Sequence, residues 1–259
     1  MQCDRGHSFD IAAQGYVNLL LVNQKASLAP GDTKQMAVSR RTFLKGGYFA
    51  PLSERINNAV RADFHHDRTA PGAVLDAGCG EGYYLNSLIE VLPAGSDGYG
   101  IDISKEAIKL AASAHKNIRF AVASIHQELP FPSCSMSSLL NVFAPRNPTE
   151  FARVLRPGGS VITVVPAGGH LAELHRVLGI APIEHGKDQR VIIDFDNIMT
   201  RSNLETLRYR RLVPSSDVLH LIQMTPTFWH LSDDAQAQLI NLPAMEIEFA
   251  FTIVTLRHI

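Results

Sequence analysis

The stretch VLDAGCGEGYY, residues 74 to 84, decides the fold. A short apolar run of strand type, residues 73–76, leads directly into a glycine-rich turn. The amphipathic segment 83–92 follows the turn and has the spacing of a helix. Strand, turn and helix in this order predict the first unit of a parallel α/β sheet.

The alternation of strands and helices continues on both sides of this stretch. Upstream, we predict a helix that begins after a cap at Asp32 or Thr33 and ends at the pair Gly46-Gly47, then a second helix over 52–64. Downstream, the predicted elements are strand 98–103, helix 105–115, strand 118–123, strand 138–143, helix 149–155 and strand 160–165. We therefore predict a doubly wound α/β fold, with a parallel sheet covered by helices on both faces.

The pattern beyond residue 155 is less regular. The segment RPGG, residues 156–159, predicts a turn before the strand at 160–165. After residue 170 we predict helices at 171–178 and 217–223 and strands at 191–195 and 246–256.

The turn in the first unit contains three glycines and a cysteine. Gly78, Gly80 and Gly82 would let the backbone turn tightly and approach a ligand where a side chain would collide. A glycine triplet alone is weak evidence for any one ligand, because dinucleotide enzymes use similar turns. Cys79 is expected to be a small filler beside the ligand, since no His or Cys that would activate it as a nucleophile is evident.

The acidic residues around the turn indicate which cofactor it would bind. Asp76 ends the first strand, Glu81 lies in the turn, and Asp102 ends the next strand. A carboxylate at Asp102 can accept both hydrogen bonds of a ribose diol, or it can cap the next helix in competition with Ser104. Asp76 and Glu81 suit a positively charged sulfonium and would repel a pyrophosphate. The pattern therefore favours S-adenosylmethionine over NAD.

The composition sets only broad limits on partners and location. The chain has 259 residues and a formal net charge of -1, so it has no global basic field. Two local clusters of basic residues are solvated faces or, alternatively, RNA contacts. They are Arg40, Arg41 and Lys45, and Arg208, Arg210 and Arg211. Three widely spaced cysteines and the absence of any run of about 20 apolar residues lead us to expect a cytoplasmic protein.

Seven segments recur in one known family in the same order, between residue 3 and residue 230. They are CDRGHSFDIAAQGYVNLL, PGD, RRTFLKGGYFAPL, VLDAGCGEGYY, NVFAPRNPTEFARVLRPGG, PAGGHLAEL and LIQMTPTFWH. In these segments the chain resembles the bacterial 23S ribosomal RNA guanine-N1 methyltransferases, the RlmA family of class I S-adenosylmethionine-dependent enzymes. The resemblance implies a Rossmann-like methyltransferase sheet and methyl transfer to N1 of a guanine in a 23S rRNA hairpin, by a homodimer that clasps the RNA.

The resemblance and the turn together nominate residues for the site. Those expected to bind the cofactor are Phe49, Asp76, Gly78, Gly80, Glu81, Gly82, Asp102, Ile103, Ala123, Ser124, Asn141 and His170. At the end of the fourth strand, Asn141, Phe143 and Pro145 are candidates for positioning the substrate, or else ordinary strand-end packing. No residue is nominated as a general base.

The resemblance also implies an N-terminal zinc module, of which this chain contains only the second half, Cys3 and His7. Structural zinc uses four protein ligands, and Cys79 and Cys134 belong to other parts of the fold, so we doubt a complete zinc site. We divide the chain into residues 1–35, a remnant of this module with a linker, and 36–259, the methyltransferase domain. Two other functions stay open: methylation of a small molecule in a closed apolar pocket, and binding of RNA or cofactor without turnover.

Overall fold

The computed structural model describes residues 6, 8–20, 31–63, 71–179, 181, 186–225, 228, 231–239 and 242–258. The helices within these ranges are α1 (Lys34–Lys45), α2 (Ala50–Asp63), α3 (Tyr83–Ile89), α4 (Lys105–Ala114), α5 (Pro148–Val154), α6 (Ala172–Leu178), α7 (Lys187–Asp194), α8 (Ser215–Gln223) and α9 (Asp233–Leu239). The strands are β1 (Val17–Asn18), β2 (Ala73–Ala77), β3 (Asp97–Asp102), β4 (Ile118–Val122), β5 (Met136–Val142), β6 (Leu155–Pro166), β7 (Met199–Val213) and β8 (Met245–His258). None of these helices is long and apolar enough to cross a membrane.

In the described part of the chain, the strands form one sheet in the order β1-β4-β3-β2-β5-β6-β8-β7. Neighbours from β1 to β6 are parallel, whereas β8 runs antiparallel to both β6 and β7. The predicted doubly wound α/β sheet is confirmed, with the correction that its β6 side is extended by two antiparallel strands. The order reverses between β2 and β5, so the carboxyl ends of these strands border the crevice where such sheets bind ligands.

Two apolar layers cover the two faces of the sheet. One layer contains Phe43 of α1 together with Phe249 and Phe251 of β8. The other layer contains Phe151 of α5 and Phe195, which follows α7. All five side chains are fully buried, and each burial stabilises the fold by roughly 1.5–3 kcal/mol. The first layer fixes α1 against the sheet beside the crevice.

Helix α1 begins and ends where its sequence predicts. Thr33 is the N-cap, because its hydroxyl accepts a hydrogen bond from the amide of Met36 at 3.3 Å. Gly46 is the C-cap. The alternative cap, Asp32, forms an ion pair with Arg40 instead.

The predicted strand at 191–195 is wrong, because these residues belong to α7 and the turn after it. Val191 and Phe195 are fully buried, whereas Ile193 is 71% exposed. In a strand all three side chains would lie on one face of the sheet. Burial of two residues four positions apart, with an exposed residue between them, is instead the pattern of a helix. The apolar content of the segment therefore did not indicate whether it forms a strand or a helix.

Strand β7 and helix α9 were not predicted. The side chains of β7 are mostly exposed or half-buried and include several arginines, so the strand lacks the apolar alternation that identifies a half-buried strand. The segment 156–159 also differs from its prediction. Met136 pairs with Leu155 and Ser138 pairs with Ser160, so the four intervening residues form a bulge inside β6 rather than a turn before it.

Candidate cofactor and substrate site

A cavity of about 870 Å³ opens where β2, β3 and β5 end. Its wall is built from segments that are far apart in the sequence. They are residues 31–32, α1, the glycine turn 78–81, residues 102–103, residues 124–126, residues 142–145, and residues around α6, α7 and α8. The cavity therefore exists only when most of the domain is folded.

The first glycine of the turn is required by packing. Gly78 has φ of +90°, and a Cβ built on it would lie 2.3 Å from the Cβ of Ala144 in the loop after β5. The amides of Gly78 and Cys79 both donate to the carbonyl of Ile101, at 2.8 and 3.0 Å. These bonds hold the turn against β3, and the missing side chain lets the two loops of the crevice touch.

The other two glycines have different positions. Gly80 lines the cavity with φ of +54°, and a Cβ built on it would lie 3.6 Å from Nη1 of Arg40. Gly82 has φ of +87° and is the N-cap of α3, outside the set of lining residues. Of these two glycines, Gly80 is the one whose backbone a ligand in the cavity can approach.

Asp76 is a buried carboxyl group that has no hydrogen-bond partner. It is 1% exposed, and both of its carboxyl oxygens are unpaired. Burial, followed by the nearby charge of Asp102, raises the pKa of Asp76 to about 8. A buried group of this kind is costly unless a cation approaches it, so its position behind the glycine turn suits a positively charged ligand.

Asp102 lines the cavity at the end of β3. One carboxylate oxygen accepts a hydrogen bond from the amide of Gly80 at 2.9 Å, and the other from the amide of Ser104 at 2.8 Å. Burial raises the pKa of Asp102, while these two amides act to lower it. Ser104, not Asp102, caps α4, because its hydroxyl accepts from the amide of Ala107. Each oxygen of Asp102 keeps a lone pair for a ligand hydroxyl.

Glu81 is a further carboxyl group that lines this end of the cavity. It is 6% exposed, and its Oε1 has no hydrogen-bond partner. Burial raises the pKa of Glu81, while the positive charges of Arg41, Arg40 and Lys45 act to lower it. The glycine-turn end of the cavity is thus rich in carboxyl groups.

Cys79 is a buried thiol in the middle of the turn. Burial and the neighbouring carboxyl groups raise the pKa of Cys79 well above its usual value, so the thiol stays protonated at neutral pH. Its Sγ would lie 2.9 Å from a Cβ built on Gly100 of β3. The side chain fills the space above this glycine, which fits the expected role of a small filler.

The loop after β5 forms an aromatic end of the cavity. Phe143 lines the cavity, is 42% exposed and has φ of +54°, an uncommon conformation for an aromatic residue. Its ring centroid lies 6.2 Å from that of Phe49 and 5.6 Å from that of Phe251. Pro145 lines the cavity beside it. Backbone strain of this kind is often found at functional positions.

Asn141 has a different position from the one expected of a substrate or cofactor ligand. It is fully buried and is not among the residues that line the cavity. Its Nδ2 donates to the carbonyl of Ala77 at 3.1 Å and to that of Pro145 at 2.8 Å. Asn141 thereby braces the loop after β5 against the end of β2.

His170 lies in the cavity wall as a neutral imidazole. Its Nδ1 accepts a hydrogen bond from the amide of Ala250 at 3.1 Å, so the ring proton is on Nε2. Burial lowers the pKa of His170 to about 3, and the positive charges of His175 and Lys187 act in the same direction. The ring lies 4.7 Å from that of Phe251. His170 can therefore donate, but not accept, a hydrogen bond at Nε2.

Some of the remaining predicted residues line the cavity and others do not. Phe49, Ile103 and Ser124 line the cavity, whereas Ala123 is buried behind it. Cys3 and His7 lie outside the described residues. The cavity also contains residues that the sequence did not nominate, among them Lys187 and Met224. Their helices α7 and α8 reach the site only through tertiary packing, which no local pattern predicts.

The two basic clusters have different surroundings. In the β7 cluster, Arg208 pairs with Glu248 at 2.9 Å and Arg210 pairs with Glu173 at 2.7 Å. In the α1 cluster, Arg41 and Lys45 line a second cavity of about 350 Å³, while Arg40 lines the large one. Arg208 and Arg210 are therefore paired with carboxylates, whereas Arg211 lies over the ring of Tyr209.

Comparison with known proteins adds the family. A model described as a methyltransferase domain matches residues 74–159, and one described as the N-terminal region of RlmA, a zinc ribbon, matches residues 1–28. The 23S rRNA (guanine(748)-N(1))-methyltransferase of Streptomyces fradiae is 35% identical over 259 residues, which cover 99% of this chain and 90% of that protein. The chain belongs to the 23S rRNA (guanine-N1)-methyltransferase family.

Other relatives extend this result. A candidate 23S rRNA (guanine-N(1)-)-methyltransferase of Micromonospora griseorubida is 38% identical over 242 residues, covering 89% of this chain and 80% of that protein. Among solved structures, the YcgJ protein of Bacillus subtilis superposes with a TM-score of 0.51 at 17% identity, covering 80% of this chain and 97% of that protein. At this identity the likeness shows the fold alone.

The described residues fit the cofactor that the family implies. S-adenosylmethionine is a cation, and the unpaired oxygens of Asp76 beside the glycine turn suit it. Of the cysteine and histidine side chains that zinc prefers, residues 1–28 contain Cys3 and His7, which lie outside the described residues. The described residues contain no group of three or more His, Cys, Asp or Glu side chains that could hold a metal.

Proposed function

We propose that this chain transfers a methyl group from S-adenosylmethionine to N1 of a guanine in a hairpin of 23S rRNA. The observation that carries the proposal is a cavity with two chemically different ends, one rich in carboxyl groups and one aromatic. The similarity to the Streptomyces fradiae enzyme over 99% of this chain supports the reaction and the substrate.

The carboxyl end is proposed to hold the cofactor. When bound, S-adenosylmethionine supplies a methyl group activated by a positively charged sulfur. The negative charges of Glu81 and Asp102, which line this end, would stabilise that cation, and the two free lone pairs of Asp102 would accept the ribose hydroxyls. Gly80, Ile103 and the hydroxyl-bearing Ser124 would complete the wall around the nucleoside.

The aromatic end is proposed to hold the guanine. N1 lies on the pairing edge, so the base must be unpaired or flipped before it can enter a pocket. The exposed ring of Phe143 is available for stacking on the base, and Pro145 flanks it. Asn141 would act indirectly, by holding this loop in place through the carbonyl of Pro145.

The chain would contribute mainly by positioning, because an in-line displacement needs N1 held at near-attack distance and in line with the bond that breaks. The proton on N1 must leave to a side chain or to water. His170 cannot accept it at Nε2, since Nδ1 already accepts from Ala250 and the ring proton is on Nε2. We assign His170 the role of a hydrogen-bond donor in the cavity wall.

From the family resemblance we also propose an oligomeric state, a location in the cell and a division into domains. The chain would act as a homodimer in the cytoplasm, where ribosomal RNA is available. Residues 1–35 would form a segment of the zinc module with a linker, and residues 36–259 the methyltransferase domain.

The test is incubation of the purified protein with unmethylated 23S rRNA and S-adenosylmethionine carrying a labelled methyl group, followed by mass spectrometry of the nucleosides. Labelled N1-methylguanosine, lost in the variant Asp102→Asn, is the expected result. Label on another nucleoside or only on small molecules of a cell extract would contradict the proposal. No transfer despite binding of S-adenosylhomocysteine would instead identify a relative without turnover.

A further inference from the structure

Arg40 reaches the carboxyl-rich end of the cavity from α1. Its Nη1 would lie 3.6 Å from a Cβ built on Gly80, so the guanidinium stands directly above the glycine turn. The guanidinium forms an ion pair with Asp32, and its Nη2 donates to the carbonyl of Met224 at 3.0 Å. The side chain is 27% exposed. Two segments of the cavity wall thus hold Arg40 in one place.

The cations of the cavity act on opposite ends of it. Among the described residues that line the cavity, the permanently charged cations are Arg40 and Lys187. The charge of Lys187 lowers the pKa of His170 and His175. The charge of Arg40 acts instead on the carboxyl groups of Glu81 and Asp102. Arg40 is therefore the cation of the glycine-turn end.

We propose that Arg40 binds the α-carboxylate of the cofactor's methionine moiety; this inference rests on the proposed function. The methionine moiety carries an ammonium, a sulfonium and one carboxylate. Glu81 and Asp102 suit the first two groups but repel the third, which needs a cation beside them. A guanidinium has five N–H donors, of which Arg40 uses one for Asp32 and one for Met224. The free donors can hold a carboxylate in the two-pronged geometry typical of arginine.

The neighbouring Arg41 offers a matched control. It is the same residue type on the same helix, but it lines the second cavity and not the large one. The variants Arg40→Met and Arg41→Met therefore differ in whether they remove a cation from the wall of the large cavity. Arg40→Lys keeps the charge there but not the two-pronged donor.

The experiment is titration calorimetry with two ligands that differ only in the carboxylate. These are S-adenosylhomocysteine and its decarboxylated analogue, 5′-S-(3-aminopropyl)-5′-thioadenosine. We expect Arg40→Met to bind S-adenosylhomocysteine roughly 10- to 100-fold more weakly than the unmodified chain, the loss typical of hydrogen bonds to a charged group. We expect it to bind the decarboxylated analogue about as the unmodified chain does. Arg40→Lys should fall between the two, and Arg41→Met should bind both ligands normally.

Three results would overturn the inference. If Arg40→Met weakens both ligands equally, Arg40 only holds the cavity wall together through Asp32 and Met224. If the unmodified chain binds both ligands equally well, the carboxylate is not recognised, and this comparison needs no variant to fold. If the unmodified chain binds neither ligand, the proposed cofactor itself is wrong and the inference fails with it.

Discussion

Replacing Asp76 by Asn should change how the stability of the protein depends on pH. The pKa of this buried carboxyl group is raised from 3.8 to about 8 in the folded chain. Between these values the unfolded chain loses the proton and the folded chain keeps it, so folding becomes less favourable as the pH rises. While the folded chain holds one proton more than the unfolded chain, each pH unit lowers the free energy of unfolding by about 1.4 kcal/mol. From pH 5 to pH 7, the unmodified chain should therefore lose about 3 kcal/mol of stability relative to Asp76→Asn.

The assay is urea unfolding followed by circular dichroism at pH 5, 6, 7 and 8, for the unmodified chain and Asp76→Asn. The difference in the free energy of unfolding should favour the variant increasingly up to pH 8 and then level off. Asp102 is present in both proteins, so its own titration largely cancels in the difference. Asp196→Asn, at an exposed position, is the control and should not reproduce the trend. Parallel curves for the two proteins would show that Asp76 is ionised in the fold and would refute the reasoning.

Three further outcomes are expected. Gly78→Ala should destabilise the fold by about 2–4 kcal/mol in urea unfolding and abolish binding of S-adenosylhomocysteine, because overpacking adds to the strain of its positive φ. Gly47→Ala, with positive φ and open space around it, should cost only about 1 kcal/mol, and equal losses at both sites would refute the close contact of the two loops. Iodoacetamide should alkylate the exposed Cys134 and spare the buried Cys79 until the protein unfolds; peptide mass spectrometry that finds early modification of Cys79 would contradict its burial. Phe143→Ala should lower kcat/KM for RNA methylation about 10- to 100-fold and leave S-adenosylhomocysteine affinity unchanged, since stacking contributes about 1–3 kcal/mol per base; unchanged kinetics would exclude stacking on the base.

Local signals in the sequence were sufficient where the physics is local. A cap at Asp32 or Thr33 and the glycine turn were predicted from the residues alone, because helix capping and positive φ depend on a few neighbouring residues. The segment 191–195 was misassigned because five apolar-rich residues do not distinguish a period of two from a period of four.

The candidate site was only partly predictable, because several of its residues are placed by tertiary packing and not by local sequence. Asp102 could be placed from its distance to the turn, and its position in the cavity agrees with that expectation. Asn141 looked like a ligand, but the sequence could not reveal that both amide hydrogens are used by the carbonyls of Ala77 and Pro145. Arg40 was noted only as part of a basic cluster, because its place above Gly80 depends on how α1 packs against the sheet.

The position of β8 between β6 and β7 has a consequence for synthesis on the ribosome. Strand β6 ends at residue 166, but its second neighbour in the sheet is not made until residues 245–258 have been added. At roughly 5–20 residues per second, the intervening translation takes on the order of 5–20 s. Throughout that interval one side of β6 has no strand to pair with, and an open, apolar sheet edge of this kind invites association between nascent chains. This protein should therefore depend on chaperones during translation more than its modest size would indicate.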